Sequence, residues 1–234
     1  MLKVTELATG YGENQVLFGV SVQIEQGEIA GLVGSNAAGK TTLLHTISGV
    51  NKVWSGKVEF CGEDITRMTP QCRTEMGLIQ CPEGRKLFPS LNVLENLLIG
   101  AYSKRSKKNK EKALKHVCEM FPILHERRYQ PAGLMSGGEQ QMCAIGRALM
   151  GDPALLIMDE PSLGLAPIIV QKVFEIVEQI NREGVTILLV EQNVRKALSI
   201  SSHAYAMESG KITMHGTGKE LLQDENLRRT YLGI

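Results

Sequence analysis

Gly34-Ser35-Asn36-Ala37-Ala38-Gly39-Lys40-Thr41 decides the reading of this chain: it fits the pattern G-x-x-x-x-G-K-[ST] and stands between an apolar run and a helix-compatible one. The run before it, Ile29-Ala30-Gly31-Leu32-Val33, reads as a buried strand, and Thr41 to Ser48 reads as a helix with Gly49 as its stop. A loop so placed aims successive backbone N–H groups and the positive end of the helix at one spot, which suits a polyphosphate. Lys40 adds a movable cation for the β and γ phosphates, and Thr41 a hydroxyl for Mg²⁺. Nucleotide binding is therefore the leading expectation. The bland alternative, a chance match in a Gly-rich chain, is disfavoured by the strand-loop-helix setting.

The composition bounds what surrounds the loop. At 234 residues the chain suits one α/β domain spanning 1–234, long enough to bury about 70% of the surface of its unfolded chain. A net charge of +1 gives no reason to expect a nucleic-acid partner. No apolar stretch approaches the roughly 18 residues of a membrane span, and Met1-Leu2-Lys3 lacks the charged-then-apolar pattern of a signal peptide. A cytosolic chain that does not cross a membrane is expected. Cys61, Cys72, Cys81, Cys118 and Cys143 form no C-x-x-C pair and read as reduced, mostly structural thiols.

Leu2, Val4 and Leu7, then Val20, Val22 and Ile24, alternate with polar residues in the manner of antiparallel strands, with turns at Gly10-Tyr11-Gly12 and Gly27. Gly56 to Gly62 is a further alternating strand, and Met76 to Gln80 leads to Pro82. A small antiparallel layer should thus flank a parallel core. From Val93 to Met150 the pattern is mostly helical. It includes Lys104, Arg105, Lys107, Lys108, Lys110 and Lys112, which should open a helix carrying Leu114, Val117 and Met120. Those cations read as a solvated face, with attraction to anionic lipid headgroups as the functional alternative. Leu155 to Met158 and Val185 to Val190 are apolar strands, joined by a helix through Val170, Val173, Phe174, Val177 and Ile180 that Gly184 closes. Strand-helix-strand of this kind implies a right-handed parallel crossover and a sheet covered on both faces.

Asp159 ends the first of those strands, the arrangement that holds Mg²⁺ in phosphate-loop NTPases, and Glu160 follows, placed to orient and deprotonate an attacking water. Taken alone, the pair serves equally well as a turn cap; beside a phosphate loop the catalytic reading prevails. Met135-Ser136-Gly137-Gly138-Glu139-Gln140-Gln141 opens a helix with Ser136 as N-cap and Glu139 completing a capping box. Its two glycines also leave the helix N–H groups uncovered for an anion.

With phosphate loop, Ser136-Gly137-Gly138 and Asp159-Glu160 in that order, the chain resembles, over essentially its whole length, the nucleotide-binding subunit of an ABC transporter. Cys81-Pro82-Glu83-Gly84-Arg85, Phe121-Pro122 to Arg128, Glu160 to Pro167, Val190-Glu191-Gln192-Asn193 and the ending Tyr231-Leu232-Gly233 are similar to one of the paired ATP-binding subunits of high-affinity branched-chain amino acid importers. The resemblance implies an ABC-type P-loop NTPase, α/β, with a parallel core sheet, an antiparallel β layer and a helical subdomain at roughly 90–150. It also implies a head-to-tail dimer of ATP-binding subunits, identical or different, on the inner face of the cell membrane. The dimer would lie under two membrane permeases fed by a periplasmic or extracellular solute-binding protein.

Residue roles follow by match. Tyr11 would stack on adenine with Val16 beside it, although a lone Tyr in a Gly turn is more often ordinary surface. Gly34 to Thr41, with Thr42, would hold the phosphates. Thr41 and Asp159 would position Mg²⁺, and Glu160 would be the general base. Ser136, Gly137 and Gly138 would contact the ATP held by the other subunit. Four positions depart from the common pattern. Ala37 replaces a usual glycine, adding a Cβ beside the ligand. Glu83 takes the place of the Q-loop glutamine, Gln80 falling too early. Ala166 stands where an aspartate is expected, and Gln192 where a switch histidine is expected. The last three fit the branched-chain importer resemblance, and they leave open whether both composite ATP sites hydrolyse equally. The segment Pro82 to Pro89, joining core and helical region, should meet a permease, with Arg85 as the crosslinking position. The alternatives are the ATPase of a urea or short-chain amide importer, a soluble ABC-type ATPase of repair or translation, and a regulator without turnover. One cassette without coiled-coil insertions disfavours the soluble protein, and the intact Lys40, Asp159 and Glu160 disfavour the regulator.

Overall fold

Leu2, Val4 and Leu7 on one strand and Val20, Val22 and Ile24 on the next bury their side chains together, and the two strands pair antiparallel. They are β1 (Leu2–Tyr11) and β2 (Asn14–Ile24), in a computed structural model that describes residues 1–229. The three-residue step from Val4 to Leu7 breaks the two-residue strand period, and the register shifts there around Glu6, whose φ is 48°. After β3 (Ile29–Val33) and α1 (Lys40–Ile47), β4 (Ser55–Phe60) and β5 (Glu63–Asp64) complete a four-stranded antiparallel sheet in the order β2-β1-β4-β5.

α2 (Pro70–Glu75) and β6 (Leu78–Cys81) lead into the helical region: α3 (Val93–Gly100), α4 (Lys104–Lys107), α5 (Lys110–Met120), α6 (Pro122–Glu126) and α7 (Gly137–Leu149). Then follow β7 (Leu155–Asp159), α8 (Pro167–Arg182), β8 (Thr186–Glu191), α9 (Val194–Ile200), β9 (His203–Glu208), β10 (Lys211–Gly216), α10 (Gly218–Gln223) and α11 (Glu225–Leu227). The second sheet has the order β10-β9-β3-β8-β7-β6, parallel throughout except for β10. The parallel core, the antiparallel layer and the helical segment of the sequence reading are all present.

β3, β7 and β8 are buried at every residue, as a parallel sheet covered on both faces requires. Side-chain parity divides them. Ala30, Leu32, Leu155, Ile157, Leu188 and Val190 join α1 and the antiparallel sheet in one core. Ile29, Val33, Leu156, Met158, Ile187 and Leu189 join α7, α8 and α9 in the other. The carboxyl ends of β3, β6, β7 and β8 therefore open on one edge, where the loops after them carry the residues of interest.

Two sequence expectations need correction, and one falls out of reach. The basic stretch does not open one helix: it forms α4 and the start of α5, with Lys108 and Asn109 between them. Arg105 is only partly solvated, its side chain 38% exposed, with Nε donating to the Asp152 carbonyl at 2.9 Å and lying 3.4 Å from Asp152 Oδ2. Tyr231-Leu232-Gly233 lies outside the described residues. Among those residues, no helix is long and apolar enough to cross a membrane.

The far end of α1 is fixed by Arg73, which is 2% exposed. Its Nη1 donates to the carbonyls of Thr46 (2.7 Å) and Ile47 (2.6 Å), Nη2 to Thr66 (3.1 Å) and Nε to Met68 (3.2 Å). A cation on the last carbonyls of a helix complements its dipole. Arg73→Leu removes all four of these bonds, the Thr46 carbonyl alone keeping a second donor in the Gly49 N–H, and should lower stability by about 3 kcal/mol or more, at about 1 kcal/mol per lost bond. Urea denaturation measures it, and a midpoint equal to wild type would contradict this role.

Candidate active site

The loop after β3 closes on α1 with two tight glycine positions. A Cβ at Gly34 would meet the Met207 carbonyl oxygen at 2.4 Å, and Gly39, the residue before α1, has φ 105°. Ala37 also lies in the left-handed region, at φ 65°, where glycine is the unstrained choice. Lys40 is buried and donates to the carbonyls of Gly34 (2.9 Å) and Ser35 (3.1 Å), with its Nζ 3.3 Å from Glu160 Oε1.

A cleft of about 520 Å³ opens over this loop. It is lined by Val16, Asn36 to Thr42, Glu83, Glu160, Leu163 and Gln192, so residues from five separate chain segments converge there. Tyr11 is half exposed and does not line the cleft; its hydroxyl stands 3.4 Å from Thr42 Oγ1. Gln80 turns elsewhere, its Oε1 accepting the Ser48 hydroxyl at 2.6 Å, and Glu83 is the residue that reaches the cleft.

Asp159 is 2% exposed, and its Oδ1 has no hydrogen-bond partner. Burial raises its pKa to about 6, and repulsion from Glu83, Glu160 and Glu191 adds to the rise while Lys40 opposes it. Burial likewise raises Glu191, against hydrogen bonds from Ser162 and Asn193. An unpartnered, buried carboxylate oxygen with Glu83 and Glu160 acting on it, together with a Thr41 residue that lines the cleft, is a donor set of the kind a hard divalent cation takes.

Glu160 has φ 46° and is held in that turn by its own N–H, which donates to the Val190 carbonyl at 2.8 Å. Gln192 does not cap α9; Asn193 does, its side chain accepting the Lys196 N–H. Ser136, Gly137 and Gly138 are not in the cleft but at the start of α7, with the capping box formed by Ser136 and Glu139. Arg85 packs over Gly137 and donates to Gln140 Oε1 at 3.1 Å. Arg147 on α7 donates to the carbonyls of Arg85 and Lys86. The Glu83 loop is thereby tied to the helix that begins with Ser136-Gly137-Gly138.

Sequence reasoning did not single out Leu163, Arg147 or Glu191 as working residues. For Glu191 a signal was present: Thr-Ile-Leu-Leu-Val-Glu is an apolar strand ending in a carboxylate, the same pattern that marks Asp159.

This fold, with a phosphate loop and two acids at the carboxyl edge of a parallel sheet, defines a phosphate-loop ATPase. A sequence profile of the ABC transporter family matches residues 17–163. The high-affinity branched-chain amino acid transport ATP-binding protein BraG of Pseudomonas aeruginosa is 48% identical over 233 residues, covering 100% of both chains. The probable branched-chain amino acid transport ATP-binding protein LivF of Archaeoglobus fulgidus is 38% identical, covering 100% of this chain and 99% of that protein. The crystal structure of a nucleotide-free ATP-binding cassette from an ABC transporter is 30% identical with a TM-score of 0.87, covering 100% of this chain and 99% of that one. The chain belongs to the ABC transporter family and is an ATP-hydrolysing cassette of it.

The buried acid predicts a pH dependence. With its folded pKa raised from 3.8 to about 6, Asp159 keeps its proton in the native state at pH values where the unfolded chain has lost it. Its contribution therefore favours folding at low pH and is lost as pH rises from about 4 to about 6. Without divalent cations, Asp159→Asn should be more stable than wild type at pH 7 by on the order of 1–2 kcal/mol, the gap closing below pH 4. Denaturation curves at both pH values check this, and an equal gap at the two would contradict it.

Proposed function

We propose that this chain is the ATP-hydrolysing subunit of an importer for leucine, isoleucine and valine. The full-length 48% identity to BraG carries the reading, and a cleft that unites phosphate loop, Glu160 and Gln192 supports it. On this reading the chain pairs with a second ATP-binding subunit beneath two membrane permeases and depends indirectly on a solute-binding protein. It then sits in the cytoplasm, against the inner face of the cell membrane.

The backbone of Gly34 to Thr42 and the start of α1 would hold the triphosphate of ATP. Lys40 would exchange its two loop carbonyls for phosphate oxygens. Val16, with Tyr11 near it, would face the base. Thr41 and Asp159 would hold Mg²⁺, which supplies charge neutralisation along the phosphates. Glu160 would take the proton of the attacking water. The Gln192 amide would donate a hydrogen bond to the γ-phosphate or to that water, with no change of charge between pH 5 and 8. Glu83, a carboxylate facing that phosphate, favours contact through metal or water.

Movement at Glu83 would reach two places through the bonds of its loop. One is α7 and Ser136-Gly137-Gly138, which would contact the ATP held by the second subunit. The other is a groove lined by Lys86, Phe88, Ile99 and Tyr102, a surface for a permease helix. Because Arg85 is turned onto Gln140, exposed Phe88 is a better crosslinking position to a permease.

Glu160→Gln should keep ATP binding and lose roughly 10²- to 10⁴-fold in turnover; near-normal hydrolysis would remove Glu160 from the role. Gln192→Ala should lower turnover while leaving the melting temperature unchanged, since Asn193 provides the cap. A lower melting temperature with unchanged turnover per folded molecule would show a structural role instead. Capture of the chain from membranes should bring permeases and a branched-chain amino acid binding protein. Co-purification with a urea or amide binding protein would overturn the assignment of solute.

A further inference from the structure

The turn after β7 and the turn after β8 are fastened together by one side chain to which the roles above give no part. Glu191 ends β8 and is 1% exposed. Its Oε1 accepts the backbone N–H of Ser162 at 3.0 Å, and its Oε2 accepts that of Asn193 at 3.5 Å. One residue earlier, the Val190 carbonyl accepts the Glu160 N–H. The turn from Glu160 to Ser162, which begins in the left-handed region at φ 46°, is thus held at both ends by the last two residues of β8. A non-glycine residue there costs on the order of 1–3 kcal/mol and persists only where the surroundings hold it.

The choice of side chain is informative. Two backbone N–H groups converge on the end of β8, and an ionised carboxylate accepts both, whereas an amide presents one acceptor and one donor. Keeping a carboxylate there is costly, because it is buried and Glu160 stands near it. A strand needing only a polar end would be served by a neutral residue. Gln192 lies between Glu191 and Asn193, so the carboxylate that holds the Glu160 turn also holds the turn presenting Gln192.

We infer that Glu191 is a positioning residue for ATP hydrolysis, a single buried carboxylate that sets the placement of Glu160 relative to Gln192 across the cleft. It acts through the Ser162 and Asn193 amides and touches no reacting atom. The inference rests on the role of Glu160 given above. Misplacing a catalytic group by about 1 Å costs roughly 10²-fold in rate, which sets the scale of the expected effect.

The test compares Glu191→Ala, Glu191→Asp and Glu191→Gln in the full chain by ATP turnover, KM for ATP, nucleotide affinity and melting temperature. Glu191→Ala should lose roughly ten- to hundredfold in kcat with KM within about twofold of wild type, since phosphate-loop contacts are untouched. Glu191→Asp keeps the charge but is one methylene too short to reach Ser162, and should fall with Ala. Glu191→Gln keeps an acceptor for the Ser162 N–H and should recover at least about a third of the lost rate on a logarithmic scale, hydrogen bonding rather than charge being the requirement. Wild-type kcat per folded molecule in Glu191→Ala, or losses in all three that track melting temperature alone, would overturn the proposal. If the Ala variant does not fold, the Gln and Asp pair decides: Asp equal to or better than Gln contradicts the clasp. Glu160→Gln in the same assay separates the two readings. Inactive Glu160→Gln beside fully active Glu191→Ala sinks the positioning role alone, whereas active Glu160→Gln removes the base assignment and the clasp with it.

Discussion

The parallel register of β7, β8 and β3 sets Asp159 beside Val190 and Val33 beside Glu191, and the chemistry of the cleft depends on that alignment. A slip of one residue would turn every side chain of a strand to the opposite face. The register resists slipping because the two faces bury different clusters, with Leu188 and Val190 against the α1 side and Ile187 and Leu189 against the α7 to α9 side. The same burial forces the strand ends to do the polar work. Asp159 and Glu191 emerge where the apolar runs stop, Asp159 within range of the Lys40 charge and Glu191 paired with Val33, the residue before Gly34.

The cleft concentrates cost. Glu83, Glu160 and Glu191 all repel the charge on Asp159, where Lys40 opposes them, and Glu160 acts on Glu191 as well. Ala37 and Glu160 hold left-handed backbone that glycine would adopt more cheaply, and Asp159 Oδ1 is buried without a donor. A sequence selected for stability alone would remove each of these. Their coincidence around one cleft, inside a fold that elsewhere obeys its local propensities, is what a functional site looks like physically.

How much of this was legible in the sequence follows the range of the interactions. The phosphate loop is local: eight consecutive residues specify turn, helix start and cation, and they lie where their order implies. Strands buried on both faces were equally readable from Ile29 to Val33 and Leu155 to Met158, because burial of the whole strand leaves an unbroken apolar run. The division of the basic stretch at Asn109 was not readable, since six cations carry no apolar period to mark a helix end. Long-range polar bonds were also hidden. Arg73 reaches carbonyls 26 and 27 positions earlier, and Glu191 reaches Ser162 across 29 positions. β9 and β10 escaped the motif-led reading for a related reason: they carry no motif and complete the sheet beyond β3.

The bonds from Arg147 and Arg85 join the Glu83 loop to α7, so the edge that faces the nucleotide and the groove near Phe88 belong to one connected unit. On this account, events at the γ-phosphate and at a docked permease are linked in both directions. The direct test is ATP turnover by the chain assembled with its captured permeases in lipid vesicles, measured with and without solute-binding protein loaded with leucine, isoleucine or valine. The account predicts that turnover rises when a loaded binding protein is added and stays low with the unloaded one. Turnover indifferent to all three amino acids, or raised by urea or a short-chain amide instead, would contradict it.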